Sequence, residues 1–589
     1  MKNNPHKILE NYFGYESFRE GQEEIINNIL KDKNTLGVMP TGSGKSICFQ
    51  IPALCRKGVT IVISPLISLM KDQADSLKSL NINADFINSS LSRREIVERI
   101  IKTKRGEYDI LYVAPERLRS NRFIKGLKKV NITSIAVDEA HCISTWGHDF
   151  RPSYRLIPNL ISKADNPTVS AFTATATKEV REDIINLLGV PSENAVITGF
   201  DRPNLNFKVV KEPDKRDFII QYLKLNKKDS GIIYAATRRE VESLANYLNE
   251  EGFSATPYHA GIPKEQRKEA QEDFVYDKVK TIVATSAFGM GIDKSNVRYV
   301  IHHNMPKNLE EYYQQAGRAG RDGLESDCIL LFSPSDTRLP RYFIEKADAP
   351  PEIKKLKFKK LQQIIDYCHT PSCLRSYILD YFDANNNIKN CNHCSNCNNK
   401  KKIIDITEEA QKIISCVYKM NESHGINMVA WVLKGSKRKK VLENNFNKLS
   451  TYGIMKDLKI KKIKNLINFL IAEKYLELEG GKYPTVSWTN KSKPILKGEG
   501  KVKRRIIPQE ITKVRDSDKL FEKLRKLRTK IAREEGYPPY IIFNDDTLQE
   551  MIEKGPKNKK EMLKIKGVGS VKFKKYGEQF LKKIKKHLN

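Results

Sequence analysis

The segment Gly37-Val-Met-Pro-Thr-Gly-Ser-Gly-Lys-Ser46 has the residue types needed to hold a nucleoside triphosphate. Thr41, Gly42, Ser43 and Gly44 form a turn whose glycines let backbone N–H groups face phosphate oxygens at a helix N-terminus. Lys45 would reach the β- and γ-phosphates, and the Ser46 hydroxyl could ligate Mg²⁺. The strict pattern has glycine where Met39 stands, so a plain glycine turn beside a lysine is the competing reading of this segment alone. A second cluster, Ile135-Ala-Val-Asp138-Glu139-Ala-His141, puts two carboxylates at the end of an apolar run. In α/β folds strand ends are where ligands bind. Asp138 would hold the magnesium, and Glu139 would orient and deprotonate the attacking water. The third cluster is Tyr313-Gln-Gln-Ala-Gly-Arg318-Ala-Gly-Arg321-Asp-Gly323. Its two arginines, three residues apart, could reach across a cleft to the charge that develops on a γ-phosphate. A surface cation pair is the alternative, against which the flanking glycines indicate close backbone approach.

These clusters need a scaffold, and the chain shows one. From about residue 20 to 335, short β-rich runs such as Thr60–Ser64, Ser134–Asp138, Gly231–Tyr234 and Lys280–Ala284 alternate with helical patterns. That alternation predicts two parallel α/β units in series, with a seam near Pro203. ATP held between two such units makes a motor, because hydrolysis opens and closes the cleft. With 589 residues the chain is too long for one core. Lys and Arg number 104 against 71 Asp and Glu, a formal charge of +33. Such a field attracts polyanions, although a Lys-, Ile- and Asn-rich composition would produce part of it by drift. No apolar run is long enough to span a bilayer, and Met1 to Tyr15 lacks the apolar core of a secretion signal. A cytosolic protein without membrane contact is expected.

Ten cysteines in such a chain are not expected to form a disulfide framework. Cys391-x2-Cys394-x2-Cys397, preceded by Cys373, offers four thiolates for a closed tetrahedral Zn²⁺ of structural type. Cys368 and His393 are rival ligands.

Taken together, these segments resemble the helicase motifs of superfamily 2 and, more narrowly, the RecQ DNA helicases. Phe13-Gly-Tyr15-Glu-Ser-Phe18-Arg19-Glu-Gly-Gln22 is similar to that family's adenine-reading motif. The resemblance implies that Gln22 bonds the base edge while Tyr15 and Arg19 pack around it. Ile63–Gln73 and Tyr112–Leu118 resemble the strand-contacting motifs of the first unit, Phe172–Thr177 the coupling motif, and Tyr258–Gly261 and Val283–Asp293 motifs of the second unit. Cys142-Ile-Ser-Thr-Trp146-Gly-His-Asp-Phe150-Arg151-Pro-Ser-Tyr154 resembles the aromatic-rich loop that links DNA contact to the ATP site. Trp146, Phe150 and Tyr154 offer stacking faces, and Arg151 a phosphate or base partner.

The resemblance runs along nearly the whole chain. It implies tandem RecA-like parallel-sheet domains (1–200 and 201–340), a helical zinc-binding subdomain (341–404) and a winged helix (405–490). A linker (491–516) and a small all-α, HRDC-like domain (517–589) complete the order. It further implies ATP-driven 3′-to-5′ movement on single-stranded DNA, and unwinding of duplex or branched DNA in repair and recombination. Mg²⁺ and Zn²⁺ would be the cofactors, a single-strand-binding protein is a candidate partner, and a monomer is the expected state. Tyr483, at the wing turn, is a candidate wedge at the duplex fork or a packed hairpin aromatic. Lys564-Ile-Lys-Gly567-Val-Gly569-Ser570 resembles a turn that binds phosphate through backbone N–H groups. Lysines 572, 574, 575, 582, 583, 585 and 586 would extend that surface or form a solvated face. Two rivals stand beside this reading: an RNA helicase, which predicts neither the aromatic loop nor the thiolate cluster, and an ATP-regulated scaffold for DNA junctions.

Overall fold

A computed structural model describes residues 4–65, 67–147, 149–211, 213–288, 294–382, 388–398, 402–479, 484–506 and 519–588. The alternating pattern resolves into two all-parallel sheets. Strands β1 (Thr35–Val38), β2 (Val59–Ile63), β3 (Ala84–Ile87), β4 (Ile110–Val113), β5 (Ile132–Val137), β6 (Thr168–Thr173) and β7 (Ala195–Ile197) form the first, in the order β3-β4-β2-β5-β6-β1-β7. The second contains β8 (Leu205–Lys211), β9 (Ser230–Tyr234), β10 (Ala255–Tyr258), β11 (Thr281–Ala284), β12 (Val297–His302) and β13 (Ser326–Phe332), ordered β10-β11-β9-β12-β13-β8. Helices cover both faces, so the central strands are apolar throughout; β1, β2, β4 and β6 are buried at every position.

Strand order decides what meets at the carboxyl edge. β1 ends in the glycine turn and β5 in the acidic pair, with only β6 between them. The register pairs Ala136 of β5 with Ser170, and Ala171 of β6 with Leu36. The two clusters, about a hundred residues apart in sequence, therefore emerge side by side.

The segment after β13 has no separate core. Leu361, Ile364, Tyr367, Leu374 and Phe382 belong to the same apolar cluster as strands of both units. Phe382 stacks on Phe200 at 4.8 Å, and Arg375 bonds Asp201 and the carbonyls of Pro203 and Leu205. The winged-helix region and the C-terminal helices each have their own cluster. The stretch 491–516, read as a linker, instead contributes β17 (Lys503–Ile506), which pairs antiparallel with β14 (Lys402–Asp405). Ile406 N also donates to Val502 O. The hairpin β15 (Leu476–Glu479) and β16 (Thr485–Trp488) is present, while its turn and Tyr483 lie outside the described residues. Among the described residues no helix is long and apolar enough to cross a membrane.

Candidate active site and zinc centre

Gly42 and Gly44 adopt left-handed φ values of 83° and 86°, the backbone that turns a loop around a phosphate and that glycine alone adopts without strain. The helix Lys45–Cys55 starts at once. Met39 is no obstacle: its side chain is buried, and its carbonyl and that of Pro40 each accept from Lys45 Nζ at 3.2 Å. Burial pushes the Lys45 ammonium down, opposed by the Glu139 and Asp138 carboxylates. The residues of the adenine motif brace the turn from outside. Arg19 donates to Gly42 O at 2.7 Å, Gln22 Nε2 to Ser43 O at 2.9 Å and Gly44 O at 3.2 Å, and Arg19 N to Gln22 Oε1. Tyr15 lines the same cavity of about 670 Å³.

Glu139 also has a left-handed backbone (φ 48°), unusual for a side chain of its size, which turns the chain back at the end of β5. Its N–H donates to Asp138 Oδ1 at 3.0 Å, and Ser64 Oγ to Asp138 Oδ2 at 3.3 Å. Burial, and then the neighbouring Glu139 carboxylate, hold the Asp138 carboxyl above the usual carboxylate range. A recessed carboxyl held up in this way is one that a divalent cation would return to its ionised form. Ser46 Oγ, the second expected magnesium ligand, accepts from Gln73 Nε2 at 3.0 Å. The oxygen donors thus fit Mg²⁺. His141 lies 3.3 Å from Glu139 Oε2 and 3.0 Å from Thr173 Oγ1. Burial holds its imidazole down to about 4, so near neutral pH it meets Glu139 as a neutral partner and not as a cation.

From the second unit, Arg318 and Arg321 arrive on the turn after the helix Leu309–Ala316. The Arg321 Cα lies 3.3 Å from the position a Cβ on Gly42 would take, and Arg321 lines the nucleotide cavity with Lys45, Asp138 and Glu139. Arg318 is buried, bonded to Tyr234, and feels the Glu139 charge. Arg202, which spacing did not single out, ties the two sides. Its guanidinium donates to Thr41 O in the glycine turn and to Gly317 O, Ala319 O and Gly320 O across the cleft.

The loop after the acidic pair divides by exposure. Trp146 is 41% and Phe150 37% exposed, large aromatic faces open to a ligand. Arg155 lies over the Phe150 ring, and Arg151 bonds Asp149 and Pro65 O. Tyr154 does not match its expected stacking role. It is 0% exposed, and its hydroxyl donates to Asp138 O at 2.8 Å, so no base can reach its ring and it braces the acidic pair instead.

The sulfurs of Cys373, Cys391, Cys394 and Cys397 all lie within 4.8 Å of one another. A tetrahedral zinc with bonds of about 2.3 Å needs sulfurs roughly 3.8 Å apart, so the set fits. Ser376 N and Cys394 N donate to Cys373 Sγ and Cys391 Sγ, as ligands bearing negative charge require. The rivals drop out, since Cys368 is buried among apolar groups and neither it nor His393 joins the cluster.

Five family models match along the chain: DEAD/DEAH box helicase (residues 19–183), helicase conserved C-terminal domain (214–323), RecQ zinc-binding (334–398), RQC domain (400–513) and HRDC domain (517–584). The ATP-dependent DNA helicase RecQ of Bacillus subtilis is 49% identical over 99% of this chain and 99% of its own length. The protein of the same name from Haemophilus influenzae is 40% identical over 98% and 95%. The RecQ-like DNA helicase BLM of Xenopus laevis is 32% identical over 99% of this chain and 46% of its own length. A nucleotide cleft built from two parallel sheets, a four-thiolate cluster and this end-to-end likeness give one conclusion: the chain belongs to the RecQ family of ATP-dependent DNA helicases.

Proposed function

We propose that this helicase moves 3′ to 5′ on single-stranded DNA and unwinds duplex or branched substrates, work that belongs to DNA repair and recombination. The supporting observation is the convergence on one cleft of Lys45, Asp138 and Glu139 from one unit and Arg321 from the other, with the exposed aromatic loop bonded to the Asp138 backbone.

ATP enters with its base against Tyr15, Arg19 and Gln22 and its phosphates in the turn Thr41–Ser46. Lys45 and the backbone N–H groups neutralise the β- and γ-oxygens. Ser46 and Asp138 would hold Mg²⁺, which would supply neutralisation of phosphate charge. Glu139 orients the attacking water and takes its proton. Arg321, with Arg318 behind it, meets the charge that spreads over the transferred phosphoryl group, a contribution of about 10³–10⁵ in rate where such arginines have been removed. Hydrolysis loosens the cleft, and the loop carrying Trp146 and Phe150 passes that change to the tracking strand.

The test is strand displacement on 3′-tailed and 5′-tailed DNA duplexes with ATP, for the native chain, Lys45→Ala and Glu139→Gln. Unwinding of the 3′-tailed substrate alone, abolished by both substitutions, is the expected result. Turnover without unwinding of either DNA would favour a junction-binding scaffold, and RNA duplexes would become the next substrate.

A further inference from the structure

The C-terminal helical domain does not hang free of the motor. It bonds to both units: Lys575 Nζ donates to Ser79 O at 2.7 Å, Ser295 Oγ to Asn544 Oδ1 at 3.0 Å and Tyr276 Oη to Gly536 O at 3.0 Å. The tail lysines expected as a DNA surface are partly consumed by internal bonds, for the half-buried Lys572 also donates to Ile541 O.

Two features show that the seat is built. First, Arg298–Asp322 of the second unit and Arg528–Asp545 of the C-terminal domain are buried ion pairs. Asp545 acts electrostatically on both Arg298 and Asp322, so the two pairs adjoin across the interface. Four charges withdrawn from water are tolerable only when they remain paired, and Asp322 directly follows Arg321. Second, backbone meets backbone. Gly567 N donates to Gly14 O at 3.0 Å, and a Cβ on Gly14 would lie 2.4 Å from Gly569 N. Gly14 precedes Tyr15 of the adenine motif.

The docked turn faces the nucleotide cavity. Leu563, Lys564 and Ile565, with Asn544 and Thr547, line the same cavity as Tyr15, Gln22 and Lys45. Leu563 is a large apolar side chain left 36% exposed. It lines the same cavity as Tyr15, Arg19 and Gln22 of the adenine motif.

We propose that Leu563 and Lys564 are a nucleotide-binding subsite: the C-terminal domain supplies part of the wall of the ATP site, Leu563 adding apolar surface and Lys564 positive charge. This rests on the reading that the cavity binds adenine nucleotide. Retention of ADP then depends on the domain being seated at Gly14.

Gly569→Gln tests the seat. Gly569 has φ −76°, a backbone any residue adopts, and the atoms nearest its added Cβ are Gly14 Cα, Gly14 N and Asn11 O, all from the helicase core. The substitution therefore obstructs docking and leaves the domain itself unstrained. Leu563→Ser removes the wall without undocking it. The measurement is the dissociation rate of a fluorescent ADP analogue with Mg²⁺ from the full chain, alongside hydrogen exchange at residues 564–570. Both variants are expected to release the nucleotide roughly tenfold faster, the loss expected for about 60 Å² of apolar contact. The turn should exchange faster in Gly569→Gln only. Unchanged release from both variants overturns the subsite, and a turn that stays protected in Gly569→Gln overturns the seat. A native chain that binds no ADP would instead defeat the nucleotide reading of the cavity, a separate result.

Discussion

Arg202 is the group whose replacement tests the two-unit cleft most directly. Its planar fork donates to Thr41 O on one side and to Gly317 O, Ala319 O and Gly320 O on the other, the last two at 3.0 and 2.8 Å. The three acceptors beyond the cleft lie on the turn that carries Arg318 and Arg321. Arg202→Lys keeps the charge but not the fork, and one ammonium cannot span both sides. The bond most at risk is the one to Thr41 O. A hydrogen bond from a charged donor contributes about 1.5–3 kcal/mol, so the closed arrangement would become roughly 10- to 150-fold less populated. Steady-state ATPase with single-stranded DNA should fall by about that factor at saturating ATP. ADP affinity should change much less, since Lys45 and the glycine turn remain. A turnover number within threefold of native would refute the reasoning. Lost ADP affinity with normal saturated turnover would refute it too, placing Arg202 in nucleotide binding alone.

Other outcomes follow from the same geometry. Tyr154→Phe removes a bond to Asp138 O, which contributes about 0.5–1.5 kcal/mol; ATPase should drop a few-fold with DNA affinity unchanged, whereas Trp146→Ala should cost DNA affinity about 1–3 kcal/mol. A fluorescence titration beside the ATPase assay separates them, and lost DNA binding in Tyr154→Phe would return that ring to the stacking set. Elemental analysis should find one zinc per chain, lost in Cys394→Ser and kept in Cys368→Ser; the reverse would reinstate the rival ligand. Burial holds the Asp366 carboxyl up at about 6, above its ordinary 3.8, with Gln362 and Lys474 opposing. Its contribution to stability is therefore complete below pH about 4 and lost as pH rises through about 6, about 3 kcal/mol at most. Asp366→Asn should raise the melting temperature at pH 8 and not at pH 4, and a gain independent of pH would exclude this cause.

The groups proposed for catalysis were legible because spacing along a strand–turn–helix fixes where a lysine or carboxylate must point. Side-chain direction within an irregular loop is not fixed in that way. Trp146 and Tyr154 are both aromatics of one loop, and only the 3-10 turn Pro152–Leu156 sends the second inward. Arg202 was illegible for another reason: its acceptors at Thr41, Gly317, Ala319 and Gly320 are distant in sequence and are brought together only by the packing of the two units. Lys503–Ile506 carries the charge and neighbouring glycines of a linker, yet pairs with β14 because register, not composition, satisfies its backbone. The Gly567–Gly569 turn looked like a phosphate binder, and its N–H does bind an oxygen, that of Gly14.

The aromatic loop is held from several sides. Tyr154 bonds Asp138 O and Arg151 bonds Pro65 O, which ties the loop to the hydrolytic edge of the first sheet. A further tie comes from the zinc-binding segment: Lys360, on the helix Pro351–His369, donates to Trp146 O at 2.9 Å and to Glu310 Oε1 at 2.5 Å. Glu310 is buried on the helix Leu309–Ala316, which leads directly to Arg318 and Arg321. A base stacked on Trp146 would thus load a strand of contacts ending at Asp138 in one direction and at the arginine turn in the other. Both are the groups on which hydrolysis is proposed to depend. On this reasoning the zinc-binding helix is a member of the coupling path, and its fusion with the core of the second unit is what lets a lysine from outside either sheet connect the two.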